Sequence, residues 1–270
     1  MSLAVAVLLG AIQGLTEFLP VSSSAHLLLA RAFFGWELSP EFGLAFDVAL
    51  HVGTLAAILV YFRVEILGMV RALPEALSST PSPDARLLRL ITVGTIPMVI
   101  VAVAFSDLIE QVLRTPAVIA GTLTFGALLM LAAERVGPRS RTEESIGWWE
   151  AVLIGCAQAS ALIPGMSRSG STISIGMFLG LRRDAAARFT FLLSIPAMLA
   201  AAAKEALALR EMPVPTDSGT FLAVGILVSA VVGYVTIKYF LRFLGSNKLD
   251  VFAAYRLVLA GITLAWLLKQ

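Results

Sequence analysis

The sequence predicts an all-α, polytopic integral membrane protein with about six transmembrane helices and two re-entrant broken-helix pairs in an inverted repeat. Three observations predict this fold: a composition too apolar for a water-facing surface, apolar stretches of spanning length, and two stretches that break near their middles and resemble each other. The whole chain, 1–270, reads as a single membrane domain, with repeats of approximately 1–133 and 147–268.

Of the 270 residues, 58% are hydrophobic and 14% charged, with a mean hydropathy of +0.88. A soluble domain carries about 25% charged residues. The net charge of +2 is too small to argue for nucleic acid, and no nucleic-acid partner is expected. The one cysteine, Cys156, excludes an intrachain disulfide and a cysteine-rich metal site. In its apolar run it reads as a small buried hydrophobe. The first ten residues lack a basic n-region, and Gln13 and Glu17 follow, so residues 1–20 read as part of the mature fold rather than a signal peptide.

In chain order the apolar stretches are 2–19 continued by 25–35, then 45–62, 90–105, 117–133, 151–163 continued by 170–181, 189–203, 219–237 and 251–268. A spanning helix needs about 20 apolar residues, and six of the eight read as simple spans. The first and fifth are interrupted, one by Pro20-Val21-Ser22-Ser23-Ser24, the other by Pro164-Gly165-Met166-Ser167-Arg168-Ser169. Proline removes a backbone donor and turns the preceding residue from helix. Irregular backbone at membrane depth is tolerated only within protein or against a water-filled cavity, so each break predicts a polar cavity. The segment Ala6–Gln13 aligns with Ala151–Gln158; with a one-residue gap, Pro20 meets Pro164 and Ser23 meets Ser167. Paired interrupted segments in two halves point to a site near the midplane.

If each broken segment returns to its own side, the three spans between them place the pairs on opposite faces, with both termini on one side. Loops away from the termini then hold thirteen Lys and Arg, and those on the termini side hold Arg31, Arg114, Lys204, Arg210 and Lys269. The positive-inside rule makes the thirteen-cation side cytoplasmic and both termini external. The stretch 72–89, with Pro74, Pro81 and Pro83, reads as a surface connection.

The chemistry lies at the breaks. A charge in the membrane costs at least ~2.5 kcal/mol on insertion scales and marks a site. Glu17 is one such charge, read as a metal ligand or a proton acceptor, and it shares a helix face with Gln13. Arg168 offers a planar fork for phosphate oxygens, or a counter-charge for Glu17. Ser22, Ser24, Ser167, Ser169 and Thr172 add neutral donors, and the half-helices after each break present N-termini that attract anions. His26, three residues after Ser23, is read as a proton carrier or phosphoryl acceptor. Asp47 and His51 share a helix face, as a supporting network or a helix-packing pair. Glu205 and Arg256 read as satisfying each other, outside the site.

At these residues the chain resembles the undecaprenyl-diphosphate phosphatase family, also known for bacitracin resistance. The resemblance rests on the run from Gln13 to His26 and on Pro164 to Thr172. It extends to Phe46–Thr54, Leu193–Ala197 and Tyr255-Arg256, and so covers essentially the whole chain. It implies hydrolysis of a polyprenyl diphosphate to the monophosphate and phosphate, recycling a lipid carrier for cell-wall synthesis. Glu17, Ser23, His26 and Arg168 match the family's catalytic positions. A divalent cation, Mg2+ or Ca2+, is implied, with Glu17 and, more weakly, Gln13 as ligands. The implied setting is the bacterial inner (plasma) membrane, multi-pass, with the active-site opening external. Membrane lipid surrounds the chain, the substrate's tail lies in lipid between helices, and a homodimer is one expected assembly. Gln13 stands where many members have a second Glu, and Ala25 where glycine is common.

Ser23 is the expected nucleophile, with His26 or Glu17 taking its proton; a metal-activated water is the competing mechanism. Without the family, inverted repeats with broken helices point to a flippase or transporter. Cysteine labelling checks the topology: single cysteines at Ser140 and beside Gln270 are expected to react from opposite sides. Labelling of both from the same side would remove the re-entrant arrangement.

Overall fold

The computed structural model describes residues 2–36, 38–105, 108–109, 112–113, 115–209 and 218–269, and only the backbone at 40, 205, 208 and 209. Arg114, Arg210, Gln270 and the Glu205 side chain lie outside the described residues. The helices are α1 (Leu3–Thr16), α2 (Ser23–Phe34), α3 (Pro40–Tyr61), α4 (Arg63–Arg71), α5 (Pro83–Ala104), α6 (Pro116–Val136), α7 (Trp148–Ser160), α8 (Arg168–Phe178), α9 (Arg183–Leu209), α10 (Gly219–Leu244) and α11 (Asp250–Leu267). Among the described residues, six (α3, α5, α6, α9, α10 and α11) are long and apolar enough to cross a membrane. The protein is a multi-pass, all-α membrane protein.

The spans begin earlier than their apolar cores because polar caps start them. Ser39-Pro40, Ser82-Pro83 and Thr115-Pro116 open α3, α5 and α6 in the same way. Each hydroxyl oxygen accepts from a first-turn amide, of Phe42 (3.3 Å), Ala85 (3.4 Å) and Val118 (3.3 Å). Proline at the first helical position gives up a donor that had no partner there. The cap at Ser82 brings 83–89, expected as part of a surface connection, into α5, and 63–71 forms α4 behind Phe62, which gives it no side-chain cap.

The broken segments form short pairs. The arms α1, α2, α7 and α8 have 14, 12, 13 and 11 residues. At 1.5 Å per residue the longest reaches about 21 Å, short of a ~30 Å hydrocarbon core. Within each pair the two arms pack on each other. The packing between halves is reciprocal: α1 lies on α10 and α7 on α5, while α3 meets α9 and α6 meets α11.

Small residues allow these close approaches, as membrane helix interfaces require. A Cβ at Gly14 would lie 2.8 Å from Gly233 N on α10, and one at Gly53 of α3 would fall on Ser229 Oγ. A Cβ at Gly155 of α7 would collide with the Gly94 carbonyl of α5. Cys156 is exposed on α7 rather than buried; a helix facing lipid presents apolar residues outward, so an apolar run does not distinguish core from surface.

At the ends of α6, α9 and α11, Glu134 gathers a charged knot. Its carboxylate accepts from Arg183 (2.5 and 2.7 Å), Arg139 (3.0 Å) and the Leu249 amide (2.8 Å). Gly155→Val is expected to destabilise the detergent-solubilised protein by ~1–3 kcal/mol through overpacking. Gly261→Ala, where no atom lies within 4 Å of the new Cβ, is expected to stabilise it by roughly 0.5–1 kcal/mol. Thermal melts of the two variants check the pair.

Candidate active site

Each break ends on a serine with a backbone conformation that L residues seldom adopt. Ser22, which caps α2, has φ 74° and ψ 99°; Ser167, which caps α8, has φ 66° and ψ 113°. Positive φ at non-glycine residues costs of order 1–3 kcal/mol and collects at functional sites. The hydroxyls repeat the match: Ser22 Oγ lies 3.2 Å from Ser24 Oγ, and Ser167 Oγ 3.3 Å from Ser169 Oγ. These caps correct the register expected from the prolines. Ser22, not Ser23, corresponds to Ser167, at the same ungapped offset that pairs Gln13 with Gln158. Ser23 thus corresponds to Arg168, and each opens its half-helix.

Irregular backbone leaves carbonyls without helical partners, and one arginine collects them. Arg256 of α11 has no solvent exposure. Its guanidinium donates to Pro20 O (3.3 Å) in the first break and to Gly165 O (3.0 Å) and Met166 O (3.1 Å) in the second. It also donates to Thr122 O (3.0 Å) and Leu123 O (3.2 Å) of α6. These main-chain oxygens satisfy the guanidinium; the expected pairing with Glu205 lies outside the described residues. Ser169 adds a direct link between breaks, its Oγ donating to Leu19 O at 2.9 Å.

Glu17 is where the breaks meet chemically. Its Oε1 accepts from Arg168 Nη2 at 2.7 Å, and its Oε2 accepts from Ser23 Oγ at 2.5 Å and Gln13 Nε2 at 3.1 Å. The side chains of Glu17 and Arg168 are 9% and 15% exposed, so the pair is largely withdrawn from screening. Both face a cavity of about 180 Å³ lined by Thr16, Glu17, Ser22, Ser23, Ser24, His51, Ser167 and Arg168 on its polar side. Ala161, Met98, Ala197, Met198 and Ala201 complete the wall. The arrangement offers a hydroxyl with a carboxylate to take its proton, a guanidinium, and two converging helix N-termini. Such a set suits an anion carrying several oxygens.

The other sequence candidates divide. Ser22, Ser24 and Ser167 line the cavity with Ser23. His26 lies outside that lining: its Nδ1 donates to Ser22 O at 2.7 Å, and its Nε2 accepts from Tyr255 Oη at 2.7 Å. In this arrangement His26 holds the strained cap of α2. His51 does line the cavity, and its Nδ1 donates to Asp47 O at 2.8 Å. A carbonyl only accepts, so Nδ1 carries the proton and Nε2 is the basic nitrogen of the neutral ring. The Asp47 carboxylate binds Arg31 through both oxygens, at 2.5 and 3.0 Å, and ties α3 to α2. Thr172 Oγ1 donates to Arg168 O at 2.7 Å, within its own helix. Tyr255 was legible only as part of a motif, and Arg256 read as a partner of Glu205, outside the site. The signal for Arg256 was a charge inside a span with two broken backbones to satisfy.

Among the described residues no cluster of three or more His, Cys, Asp and Glu stands ready for a metal. A hard divalent cation held by one or two carboxylates together with substrate oxygens needs less. Glu17 supplies a carboxylate, and beside it Gln13, fully buried, has an Oε1 without a hydrogen-bond partner. That donor pair fits such a cation.

Residues 6–262 match the bacitracin resistance protein BacA family. The chain is 47% identical over 266 residues to an undecaprenyl-diphosphatase of Rubrobacter xylanophilus, covering 97% of each chain. It is 46% identical over 262 residues to undecaprenyl-diphosphatase 2 of Stutzerimonas stutzeri, covering 96% of each. It is also 42% identical over 264 residues to an undecaprenyl-diphosphatase of Moorella thermoacetica, covering 97% of each.

Arg168→Lys tests the anion site by itself. The charge stays and the planar fork is lost. A charge-assisted hydrogen bond contributes ~1.5–3 kcal/mol, so binding of inorganic diphosphate is expected to weaken roughly 10- to 150-fold. Calorimetry on the purified protein measures it. Unchanged binding would make Arg168 only the counter-ion of Glu17.

Proposed function

The chain belongs to the bacitracin resistance protein BacA family, and from that membership and the site's geometry we propose that it hydrolyses undecaprenyl diphosphate to the monophosphate and phosphate. It is a membrane phosphatase that recycles the lipid carrier of cell-wall synthesis and so confers bacitracin resistance. The observation that carries the reading is the junction of Ser23, Glu17 and Arg168 at two helix N-termini, in a cavity with one apolar wall.

The diphosphate enters the cavity with its terminal phosphorus at Ser23. Ser23 Oγ attacks, its proton passes to Glu17 Oε2, and the bond to the bridging oxygen breaks, releasing the lipid monophosphate. Arg168 and the amides of the two half-helices neutralise the oxygens as charge shifts to the leaving group. Glu17 passes the Ser23 proton to the departing monophosphate. Water then attacks the phosphoserine; Glu17 takes a proton from it and returns it to Ser23 Oγ as the Oγ–P bond breaks and phosphate leaves. Glu17 serves as the base in preference to His26 because it already touches the Ser23 hydroxyl, whereas His26 is bonded elsewhere at both nitrogens. His51 lines the same cavity. A divalent cation, Mg2+ or Ca2+, would sit at Glu17 and Gln13 and neutralise phosphate charge when bound.

The setting follows from the same reading. The chain lies in the bacterial plasma membrane with both termini and the cavity mouth external, which the distribution of Lys and Arg supports. The two halves form an inverted repeat, supported by the reciprocal packing and the paired caps Ser22 and Ser167. A homodimer is the proposed assembly.

Stereochemistry at phosphorus tests the nucleophile. Two in-line displacements through phosphoserine give net retention with a chiral terminal phosphate; direct attack by water gives inversion and would remove Ser23 from that role. Ser23→Ala is expected to abolish phosphate release. A loss of about tenfold, the worth of one neutral hydrogen bond of ~0.5–1.5 kcal/mol, would mark Ser23 as a binding group only.

A further inference from the structure

We propose that the first isoprene units of the substrate leave the cavity through a slot between α5 and α9, formed by Met98, Ala197, Met198 and Ala201. The inference rests on the phosphatase reading and adds where the lipid chain runs.

Size comes first. A cavity of about 180 Å³ holds on the order of a dozen waters at the ~10–15 Å³ that each requires. That is the scale of a diphosphate headgroup, not of one with a polyprenyl chain attached. The chain has to leave the cavity, and apart from Ala161 the cavity's apolar lining comes from two helices alone. The polar lining comes from the ends of α1, from α2, from α3 and from the second break, whereas Met98 belongs to α5, and Ala197, Met198 and Ala201 to α9.

Helix geometry places an opening there. The two helices touch at Gly94, where a Cβ would lie 2.9 Å from Leu193 Cδ1. One turn further along both, at Met98 and Ala197, the cavity lies between them. Each helix has a proline directly before that point, Pro97 and Pro196, and proline removes a helix hydrogen bond and favours a bend. One more turn along α9, Ala201 is exposed, and Met98 is half-buried. The apolar wall therefore runs from the headgroup to the lipid-facing surface. Methionine and alanine make it smooth and adaptable, suited to a branched hydrocarbon without fixed shape. His26 and Tyr255, stacked at 5.6 Å, do not line the cavity.

The experiment uses farnesyl diphosphate bearing a photoreactive diazirine on its first isoprene unit, with the full-length protein in detergent. After irradiation, the adduct is expected on peptides of α5 and α9 around Met98 and Met198, and excess unlabelled farnesyl diphosphate is expected to suppress it. An adduct on α2 and α11 near Tyr255, or one that the competitor does not displace, overturns the slot. A second arm uses Ala201→Trp, which plugs the outer end. The KM for farnesyl diphosphate is expected to rise about tenfold, the equivalent of roughly two buried methylenes. The Ki of methylenediphosphonate, which has a head and no tail, is expected to stay unchanged; equal changes in both constants count against the slot. Phosphate release by the unmodified protein is measured separately. Its absence defeats the phosphatase reading, whereas a misplaced adduct on an active protein defeats only the slot.

Discussion

The fold turns on how bare carbonyl groups are satisfied inside a membrane. Breaking a helix at that depth frees main-chain oxygens where no solvent reaches them, and each left unpaired is expensive. Here two breaks lie side by side, and the guanidinium of Arg256 donates to both of them and to α6, through five main-chain carbonyls. Glycine makes the room: a Cβ at Gly126 would fall on the Arg256 guanidinium, and one at Gly170 would lie 2.9 Å from Nη1. With the backbone held by Arg256, Arg168 is left to face the carboxylate and the cavity. One buried arginine binds the main chain, and the other binds Glu17 and lines the cavity.

Much of this could be read in advance, and the failures share a cause. Apolar runs of spanning length located six membrane helices, and coincident proline, glycine and serine located both breaks. Glu17 and Arg168 stood out because a charge within an apolar run has to be used. What stayed hidden depended on main-chain groups or on the direction a ring turns. Arg256 bonds to carbonyls, which every residue has and no letter marks. Spacing put His26 one turn from Ser23, but the ring turns toward Ser22 O and Tyr255, and His51, from a different helix, lines the cavity instead. The register between breaks was misjudged because the prolines are offset by one, while the strained caps are not.

The corrected register shows how two similar halves reach one asymmetric site. Ser23 and Arg168 stand at the first positions of equivalent half-helices, and both bond to the same carboxylate. The counterpart of Glu17 in the second half is Leu162, just past α7. Equivalent backbone therefore presents a hydroxyl on one side and a cation on the other, with a single carboxylate between them. The glutamines Gln13 and Gln158 keep the likeness, both fully buried, but only the first has a carboxylate beside it to bond.

The reciprocal packing also sets an order on biogenesis. Chains emerge from the ribosome N-terminus first, so the first short pair reaches the bilayer long before the groups that complete it. Glu17 precedes its counter-charge by 151 residues, and the carbonyl of Pro20 precedes the guanidinium that binds it by 236. Until α8 and α11 are made, the N-terminal hairpin has neither its ion pair nor its backbone donor, and α1 lacks the face of α10 on which it docks. The first short pair is made well before it can be locked, and a nascent chain cut short before α11 leaves both breaks without the arginine that closes them.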